Sequence, residues 1–254
     1  MLSINQILKF AKTDKLNRHI LQEYFQYEIL DSLFKQDDSL NYSFLGGTAI
    51  RLIYGGMRYS EDLDFDTTNL DVFDELLSTV VKSMQDKGFE IEFRLIHKGA
   101  YHCHIKFPSV LHSYGLSGYK EEKLFIKVDA TTTDKLYTSS HALDNYGVFR
   151  KIQVAPAPVL LSQKLYTIGA RKRPKGRDLY DVTWLWGMGS PDEKYTQDVL
   201  GKSVKELIID TQKYLTTIDL DDLIRDTKPF LINPDDIRRI KFFPQYLSEK
   251  LQEL

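Results

Sequence analysis

Cysteine is nearly absent from the sequence, since Cys103 is the single one among 254 residues. One cysteine cannot form an internal disulfide, which excludes a disulfide-stabilised secreted scaffold and fits a reducing compartment. The N-terminal segment is interrupted by Asn5, Lys9 and Lys12, and it lacks the apolar run of a signal peptide. No segment reaches the roughly 18 apolar residues of a membrane span. We therefore expect a cytoplasmic protein without a membrane partner.

An excess of either charge is also missing. Lys and Arg number 34 and Asp and Glu number 36, which gives a formal net charge of -2. This balance excludes a uniformly basic nucleic-acid-binding protein but leaves room for a local basic patch. With 42% hydrophobic and 28% charged residues, the composition is that of a globular protein. The length suffices for one large domain or two modest ones.

Hydrophobic periodicity predicts both helices and strands in the first half of the chain. Apolar residues recur at steps of three and four in about residues 15–36 and 73–87, which predicts two helices with a buried face. Three later segments alternate apolar and polar residues as half-buried strands do, namely FEIEFRLI, HCHIKFPSVL and EKLFIKVDAT. From Pro156 onward, the spacing of apolar residues is mostly helical. We therefore predict an α+β fold, with one domain over residues 1–135 and a mainly helical domain over residues 136–254.

The segment EDLDFD carries the most specific chemical signal. In an extended chain, alternation places Asp62, Asp64 and Asp66 on one face, and Leu63 and Phe65 on the other. Neighbouring carboxylates repel one another unless a cation neutralises them, and such hard oxygen ligands suit Mg²⁺ or Mn²⁺. A D-x-D pattern by itself is also compatible with a solvated sheet edge or an Asp-rich turn.

A Gly-Gly-Thr sequence precedes this segment. Gly46 and Gly47 let the backbone approach a ligand closely and can present N–H groups to phosphate. With Thr48, they come before AIRLIY, a predicted helix whose N-terminus attracts anions. Most Gly-Gly pairs are simply turns, but a pair followed by a D-x-D strand indicates a triphosphate-binding loop beside a metal site.

A third carboxylate lies in the segment FIKVDA. Alternation directs Ile126 and Val128 to a core, and Asp129 to the opposite face together with Lys127. Two-metal phosphoryl or nucleotidyl transfer needs carboxylates that hold metal ions and one that accepts a proton from an attacking hydroxyl. A strand-end cap is the structural alternative for Asp129.

Together these motifs resemble those of a known superfamily. LGGTAIRLIYGGMRYSEDLDF followed by FIKVDA is similar to the polymerase-β-type nucleotidyltransferases, and in particular to the AbiEii-type toxins of toxin–antitoxin systems, which include the MenT-type enzymes. Downstream, KLYTIGARKRPKGRDLYDVTWL is similar to the lysine motif and the R-D-x-x-D motif of that family. The resemblance covers about residues 42–186. It implies a polymerase-β-like core with a mixed sheet, followed by a mainly helical C-terminal region.

The resemblance also implies roles for individual residues. Asp62 and Asp64 are expected to bind the metal ion, and Asp129 is expected to join the metal site and to act as general base. Lys164 matches the family lysine, which implies a catalytic role and pairing with nucleotide phosphates. The other residues expected to bind the nucleotide are Gly46, Gly47, Thr48, Ser60, Arg177, Asp178 and Asp181. The family often has Glu where this chain has Asp129.

The residues alone leave other interpretations of the downstream motifs open. Lys164 lies at the margin of an apolar helix face, where a lysine either snorkels to solvent or reaches an anion. Asp178 and Asp181 lie near a helix start, where carboxylates favour the helix dipole. The basic run before and within this motif is either a solvated loop or a contact for RNA phosphates. Its candidate RNA-binding residues are Arg171, Lys172, Arg173 and Lys175.

The sequence thus predicts a metal-dependent nucleotidyltransferase that takes an NTP and releases pyrophosphate. The resemblance adds a biological role, a growth-inhibiting toxin that is opposed by an antitoxin protein. For MenT-like members, it implies the 3′ end of tRNA as the acceptor. A protein or small-molecule hydroxyl, as on an antibiotic, is the alternative acceptor. A nucleotide-binding or RNA-binding module without catalysis is the alternative outside the enzymes.

Overall fold

The computed structural model describes residues 1–98, 100–173 and 175–254. Side chains are described for these residues except within 97–102. The chain forms two compact units. The first unit comprises Met1–Ile53 and Ser60–Ala155, and the second comprises Tyr54–Tyr59 and Pro156–Leu254. The second unit therefore takes a short segment from within the sequence of the first.

A seven-stranded mixed sheet forms the centre of the first unit. The strands are β1 (Tyr42–Leu45), β2 (Leu63–Thr67), β3 (Glu92–Lys98), β4 (Ala100–Phe107), β5 (Leu124–Thr132), β6 (Ser139–Asn145) and β7 (Val148–Val154). Their order is β3-β4-β5-β2-β1-β7-β6. The strand β2 is parallel to β5 and antiparallel to β1, while β1 is parallel to β7. The expected mixed sheet is confirmed, and the D-x-D strand is central in it.

The helices of the first unit are α1 (Ile4–Ala11), α2 (Arg18–Phe34), α3 (Gly46–Leu52), α4 (Phe73–Asp86) and α5 (Val110–Ser113). The helices predicted around residues 15–36 and 73–87 are confirmed as α2 and α4. Asn17 caps α2, since its side chain accepts a hydrogen bond from the Ile20 N–H. Most residues of α2 are buried, and the helix packs against α4, β5 and β7. It thus lies over the sheet that carries the aspartates.

The β6–β7 hairpin extends the first unit to Ala155, beyond the predicted boundary at residue 135. Its two-residue loop is Tyr146–Gly147, with φ of 51° and 77°. Both values are left-handed, as a type I′ turn requires, and this turn matches the twist of paired strands. The hairpin joins the sheet because β7 pairs with β1, with Val154 opposite Phe44. The region after residue 135 therefore begins with two strands.

The second unit is helical. Its helices are α6 (Ala157–Ala170), α7 (Gly176–Trp186), α8 (Glu193–Leu200), α9 (Val204–Leu215), α10 (Leu220–Thr227), α11 (Arg238–Lys241) and α12 (Phe243–Gln252). The helix α6 packs against α7, α8 and α9, and α12 packs against α9. A Cβ on Gly176 would lie 2.3 Å from the Leu223 carbonyl oxygen, so only glycine allows α7 to start this close to α10.

Hydrogen bonds to its main chain hold the segment Tyr54–Tyr59 within the second unit. The Tyr59 N–H donates to the Phe230 carbonyl at 2.8 Å, and the Ile232 N–H donates to the Met57 carbonyl at 3.2 Å. The indole N–H of Trp184 donates to the Tyr54 carbonyl at 2.9 Å. These bonds fix the backbone on either side of Arg58.

None of the helices in the described part of the chain combines the length and apolar character that crossing a bilayer requires.

Candidate active site

The aspartates of the D-x-D motif lie on and directly before β2. Leu63 and Phe65 are buried, whereas Asp64 and Asp66 are half-buried on the opposite face of the strand. Asp62 immediately precedes the strand. Because β2 is a central strand, the motif is neither a sheet edge nor an Asp-rich turn.

Gly46 and Asp64 approach each other so closely that the position requires glycine. Gly46 has φ of 78°, in the left-handed region, and its neighbour Leu45 is the register partner of Asp64. A Cβ on Gly46 would lie 2.2 Å from Asp64 Oδ2. The group that this glycine approaches in the structure is a carboxylate of the D-x-D motif, and its predicted approach to a ligand stays a prediction.

Buried polar side chains hold the start of the D-x-D strand. Thr48 is fully buried, and its hydroxyl donates a hydrogen bond to the backbone carbonyl of Asp62. Gln26 Nε2 donates to the carbonyls of Ser60 and Glu61, both at 3.0 Å. Gln22, one turn earlier on α2, also donates to the Glu61 carbonyl, at 3.1 Å. The two glutamines were missed in the sequence, although two polar residues four apart on an apolar helix face are a usable signal.

Asp129 lies beside Asp64 across two parallel strands. The two residues are register partners in the β2–β5 pair, and neighbouring strands lie about 4.8 Å apart. Asp129 is interior to β5, so it is not a strand-end cap. Lys127 Nζ donates to Asp129 Oδ2 at 2.5 Å from the same face of the strand. We call Asp62, Asp64 and Asp129 the carboxylate site.

The donor chemistry of the carboxylate site fits a divalent cation. All of its side-chain donors are carboxylate oxygens, which hard cations such as Mg²⁺ and Mn²⁺ prefer. Across the described residues, no three His, Cys, Asp or Glu side chains are already gathered in a way that could hold a metal ion. The fit of a divalent cation to this site therefore rests on the type of donor atom and on the strand register. Metal binding by Asp62, Asp64 and Asp129 stays a prediction.

The lysine and R-D-x-x-D motifs meet in a cluster of buried ion pairs in the second unit. Lys164 Nζ lies 2.8 Å from Asp178 Oδ1 and 2.8 Å from Asp181 Oδ2. Arg171 Nη1 lies 2.8 Å from Asp178 Oδ2. Lys164 therefore does not snorkel, and the two aspartates bind cations in addition to lying near the start of α7. The predicted contact between Lys164 and nucleotide phosphates stays a prediction.

Arg58 completes this cluster and was missed in the sequence. Its Nε and Nη2 donate to the two carboxylate oxygens of Asp181, each at 2.6 Å, and Nη1 donates to the Tyr59 carbonyl at 2.9 Å. The guanidinium is 3% exposed and Asp181 is 0% exposed. We call Arg58, Lys164, Arg171, Asp178 and Asp181 the ion cluster. Three cations and two carboxylates give it one surplus positive charge.

Burial and ion pairing shift the pKa values of the ion cluster in opposite directions. Burial raises the pKa of Asp178, but Lys164 and Arg171 outweigh it and hold that pKa below its ordinary value. Burial lowers the pKa of Lys164, but Asp178 and Asp181 outweigh it and raise that pKa. The same competition raises the pKa of Arg58 beside Asp181. All these groups are therefore charged at neutral pH.

The remaining motif residues lie at the surface of the second unit. The guanidinium of Arg177 lies over the ring of Phe230, 4.4 Å from its centroid. The cations predicted to bind RNA are all exposed in the described structure: Arg171, Lys172, Arg173 and Lys175. Arg171 has two roles, since it is exposed and also contacts Asp178.

Solved structures confirm the predicted fold. The chain is similar to JHP933 from Helicobacter pylori, with 18% identity over 94% of this chain and 96% of that chain and a TM-score of 0.57. It is also similar to a second H. pylori protein, described as a candidate nucleotidyltransferase, with 17% identity over 94% of this chain and 98% of that chain and a TM-score of 0.58. Among the curated proteins compared with the chain, none matches. The α+β fold is polymerase-β-like, and the class that fold and motifs define is the nucleotidyltransferases.

The family is narrower than that class. A family model described as the nucleotidyl transferase AbiEii toxin of a type IV toxin–antitoxin system matches residues 28–245. The chain therefore belongs to the AbiEii nucleotidyltransferase toxin family. Nucleotidyltransferases in general use an NTP and a divalent metal, and membership of a toxin–antitoxin family implies an antitoxin partner.

Proposed function

We propose that this protein is a Mg²⁺-dependent toxin that transfers a nucleoside monophosphate from an NTP to RNA, with the 3′ end of tRNA as acceptor. The observation that carries the proposal is the register of Asp64 and Asp129 on adjacent central strands, with Asp62 directly before the first of them. This brings side by side the carboxylates that nucleotidyl transfer needs. Since NTP and tRNA are both cytoplasmic, we also propose that the protein acts in the cytoplasm.

Asp62 and Asp64 would hold the metal ion, and Asp129 would complete its site. A bound divalent cation supplies charge neutralisation at the reacting phosphate and at the departing pyrophosphate. Asp129 accepts the proton of the attacking RNA hydroxyl, and Lys127 orients its carboxylate through the 2.5 Å salt bridge. Gly46 supports this arrangement because its missing side chain leaves room for the Asp64 carboxylate.

Lys164 is the proposed partner of the nucleotide phosphates. The surplus positive charge of the ion cluster supports this role, because a cluster with one unbalanced cation favours an added anion. Asp178 and Asp181 then serve nucleotide binding indirectly, since they fix the ammonium of Lys164 from two sides. The proposed nucleotide-binding set also includes Gly46, Gly47, Thr48, Ser60 and Arg177.

The RNA acceptor is supported by the exposed basic segment. Four cations between residues 171 and 175 are exposed, and cations of this kind bind phosphate backbones in a salt-dependent way. The net charge of the whole protein is only -2, so this local concentration of positive charge is distinct from its surroundings.

A labelling experiment tests the proposal. Purified protein is incubated with Mg²⁺, total cellular RNA and protein, and each α-³²P-labelled NTP in turn, with Asp62→Asn as the matched variant. We expect label in a tRNA-sized band with one preferred NTP, and its loss in Asp62→Asn. Label in a protein band, or in a small molecule alone, would contradict the RNA acceptor. No transfer of label to any acceptor would contradict the enzymatic proposal itself.

A further inference from the structure

A cavity of about 450 Å³ lies in the second unit among α6, α8 and α9. Its inner wall is apolar, because Leu165 and Leu207 line it and are buried. Gly169 and Ala170 form part of its edge at the end of α6, where neither side chain fills the space. The cavity has the size of a small-ligand site, for which about 300–1,000 Å³ is typical.

Two tyrosines line this cavity. Tyr166 belongs to α6 and is 39% exposed, so its ring is available to a ligand. Tyr214 belongs to α9, and its hydroxyl donates to the Arg171 carbonyl at 2.6 Å. That bond ties the first residue of the basic segment to α9, at the edge of the cavity.

Among the described residues, two cations and one carboxylate line the same cavity. The cations are Lys202 and Lys213, and the carboxylate is that of Asp210, which pairs with Lys202 at 2.5 Å. The chain passes from Ala170, a lining residue, directly into the exposed cations Arg171, Lys172 and Arg173 of the basic segment. An anion at the cavity would therefore meet cations on α9 and on that segment.

We propose that this cavity binds a nucleoside unit of a single-stranded RNA acceptor, with its base stacked on Tyr166 and its phosphates near Lys213 and the basic segment. Sites for single-stranded nucleic acid combine aromatic platforms with a track of cations, and both are present here. This inference rests on the proposed transfer to RNA and adds a binding site for the acceptor. The surplus of cations favours RNA over a segment of a partner protein as the occupant.

Binding without catalysis tests the site. The probe is a fluorescein-labelled single-stranded RNA, measured by fluorescence anisotropy without NTP or divalent metal. Replacing Tyr166 with Ala removes the platform, and we expect the Kd to rise about tenfold, because one base stack contributes about 1–3 kcal/mol. Tyr166→Trp keeps an aromatic ring and should restore binding. The matched control is Tyr119→Ala, since Tyr119 is 75% exposed on the first unit.

The cations are tested by salt dependence. Lys213→Ala should reduce the slope of log Kd against log salt by about 0.7, the value for one phosphate contact to a single strand. Lys205→Ala is its control, because Lys205 is exposed on the same helix but does not line the cavity. Equal slopes for Lys213→Ala and Lys205→Ala would overturn the cation assignment.

The outcomes separate this inference from the proposed function. If the wild-type protein labels RNA and Tyr166→Ala has the same Kd and the same KM for RNA, the cavity proposal fails and the proposed function stands. If single-stranded RNA binds through Tyr166 but is never labelled, the cavity proposal stands and the proposed function fails. Loss of antitoxin binding in Tyr166→Ala, with RNA binding unchanged, would assign the cavity to a protein partner and overturn the proposal.

Discussion

The carboxylate site and the ion cluster use the same residue type in opposite ways. In the carboxylate site, half-buried aspartates lie side by side on neighbouring strands and before one of them. In the ion cluster, each aspartate is buried between two cations, Asp178 between Lys164 and Arg171, and Asp181 between Lys164 and Arg58. The first arrangement has three carboxylates and a salt bridge from Lys127 to one of them, which suits an added divalent cation. The second contains three cations for its two carboxylates.

This difference predicts different consequences of mutation. Removing a carboxylate from the ion cluster leaves a buried cation without its partner, which destabilises a fold. Replacing Asp64 with Asn alters one half-buried side chain and leaves every ion pair of the ion cluster in place, so we expect the fold to remain intact. Stability should therefore depend more on the ion cluster than on the carboxylate site.

The largest expected effect on stability is that of Asp181→Ala. Arg58 would keep its buried guanidinium but lose both charge-assisted hydrogen bonds of 2.6 Å. We expect the free energy of unfolding to fall by about 3–5 kcal/mol, as measured by urea denaturation. A change below about 1 kcal/mol would show that the ion cluster does not hold the second unit together.

Gly46→Ala should affect both stability and catalysis. The added Cβ would lie 2.2 Å from Asp64 Oδ2, and φ of 78° is strained for alanine, at roughly 1–2 kcal/mol. We expect a displaced Asp64 carboxylate and a loss of nucleotidyl transfer of about 100-fold. Gly88→Ala is the matched control, because its φ is 89° and no atom lies within 4 Å of the added Cβ. It should share the strain and keep its activity, and equal activity losses in the two variants would contradict this account.

Acid should weaken the ion cluster through Asp178. Its pKa is lower in the folded protein than in the unfolded chain, so its stabilisation is complete above about pH 4 and is lost as the pH falls through the folded pKa. Urea denaturation between pH 5 and pH 2.5 should show a falling free energy of unfolding, with a shallower decrease in Asp178→Asn. Parallel curves for the two proteins would assign the acid sensitivity to other groups.

The smallest effect is expected at an exposed ion pair. Arg225 and Asp222 form a salt bridge on α10 with exposed side chains of 72% and 63%. Asp222→Ala should change the free energy of unfolding by less than about 1 kcal/mol, because solvent screens such pairs. A loss as large as that of Asp181→Ala would show that burial is not what distinguishes the ion cluster.

Local patterns in the sequence were sufficient for the strands of the carboxylate site. The alternation of Leu63, Asp64 and Phe65 predicts a strand with its carboxylate on the face opposite the core, and the structure confirms it. The pairing of Asp64 with Asp129 depends on the order of strands as well, which local patterns do not give and the structure shows.

The ion cluster could not be predicted in full, because its members are distant in sequence. Arg58 and Asp181 are 123 residues apart. No local pattern in the sequence indicates that Arg58 pairs with an aspartate of α7. The hairpin at the end of the first unit was missed for another reason. Tyr146 at a left-handed turn position is uncommon, so the turn before Gly147 lacks the usual Asn-Gly or Asp-Gly signal.

The central claim is that Asp64 takes part in nucleotidyl transfer and that Asp66, on the same strand face, does not. In the β2–β5 pair, Asp64 is the register partner of Asp129, whereas the register partner of Asp66 is Thr131. The most direct measurement compares the single-turnover rate of label transfer from the preferred α-³²P-NTP to RNA for the wild type, Asp64→Asn and Asp66→Asn. Both aspartates are half-buried on one face of β2, so the two variants alter the same surface. We predict a loss of roughly 1,000-fold for Asp64→Asn and a change within about threefold for Asp66→Asn, with equal unfolding free energies. Equal rates for the two variants would contradict the account.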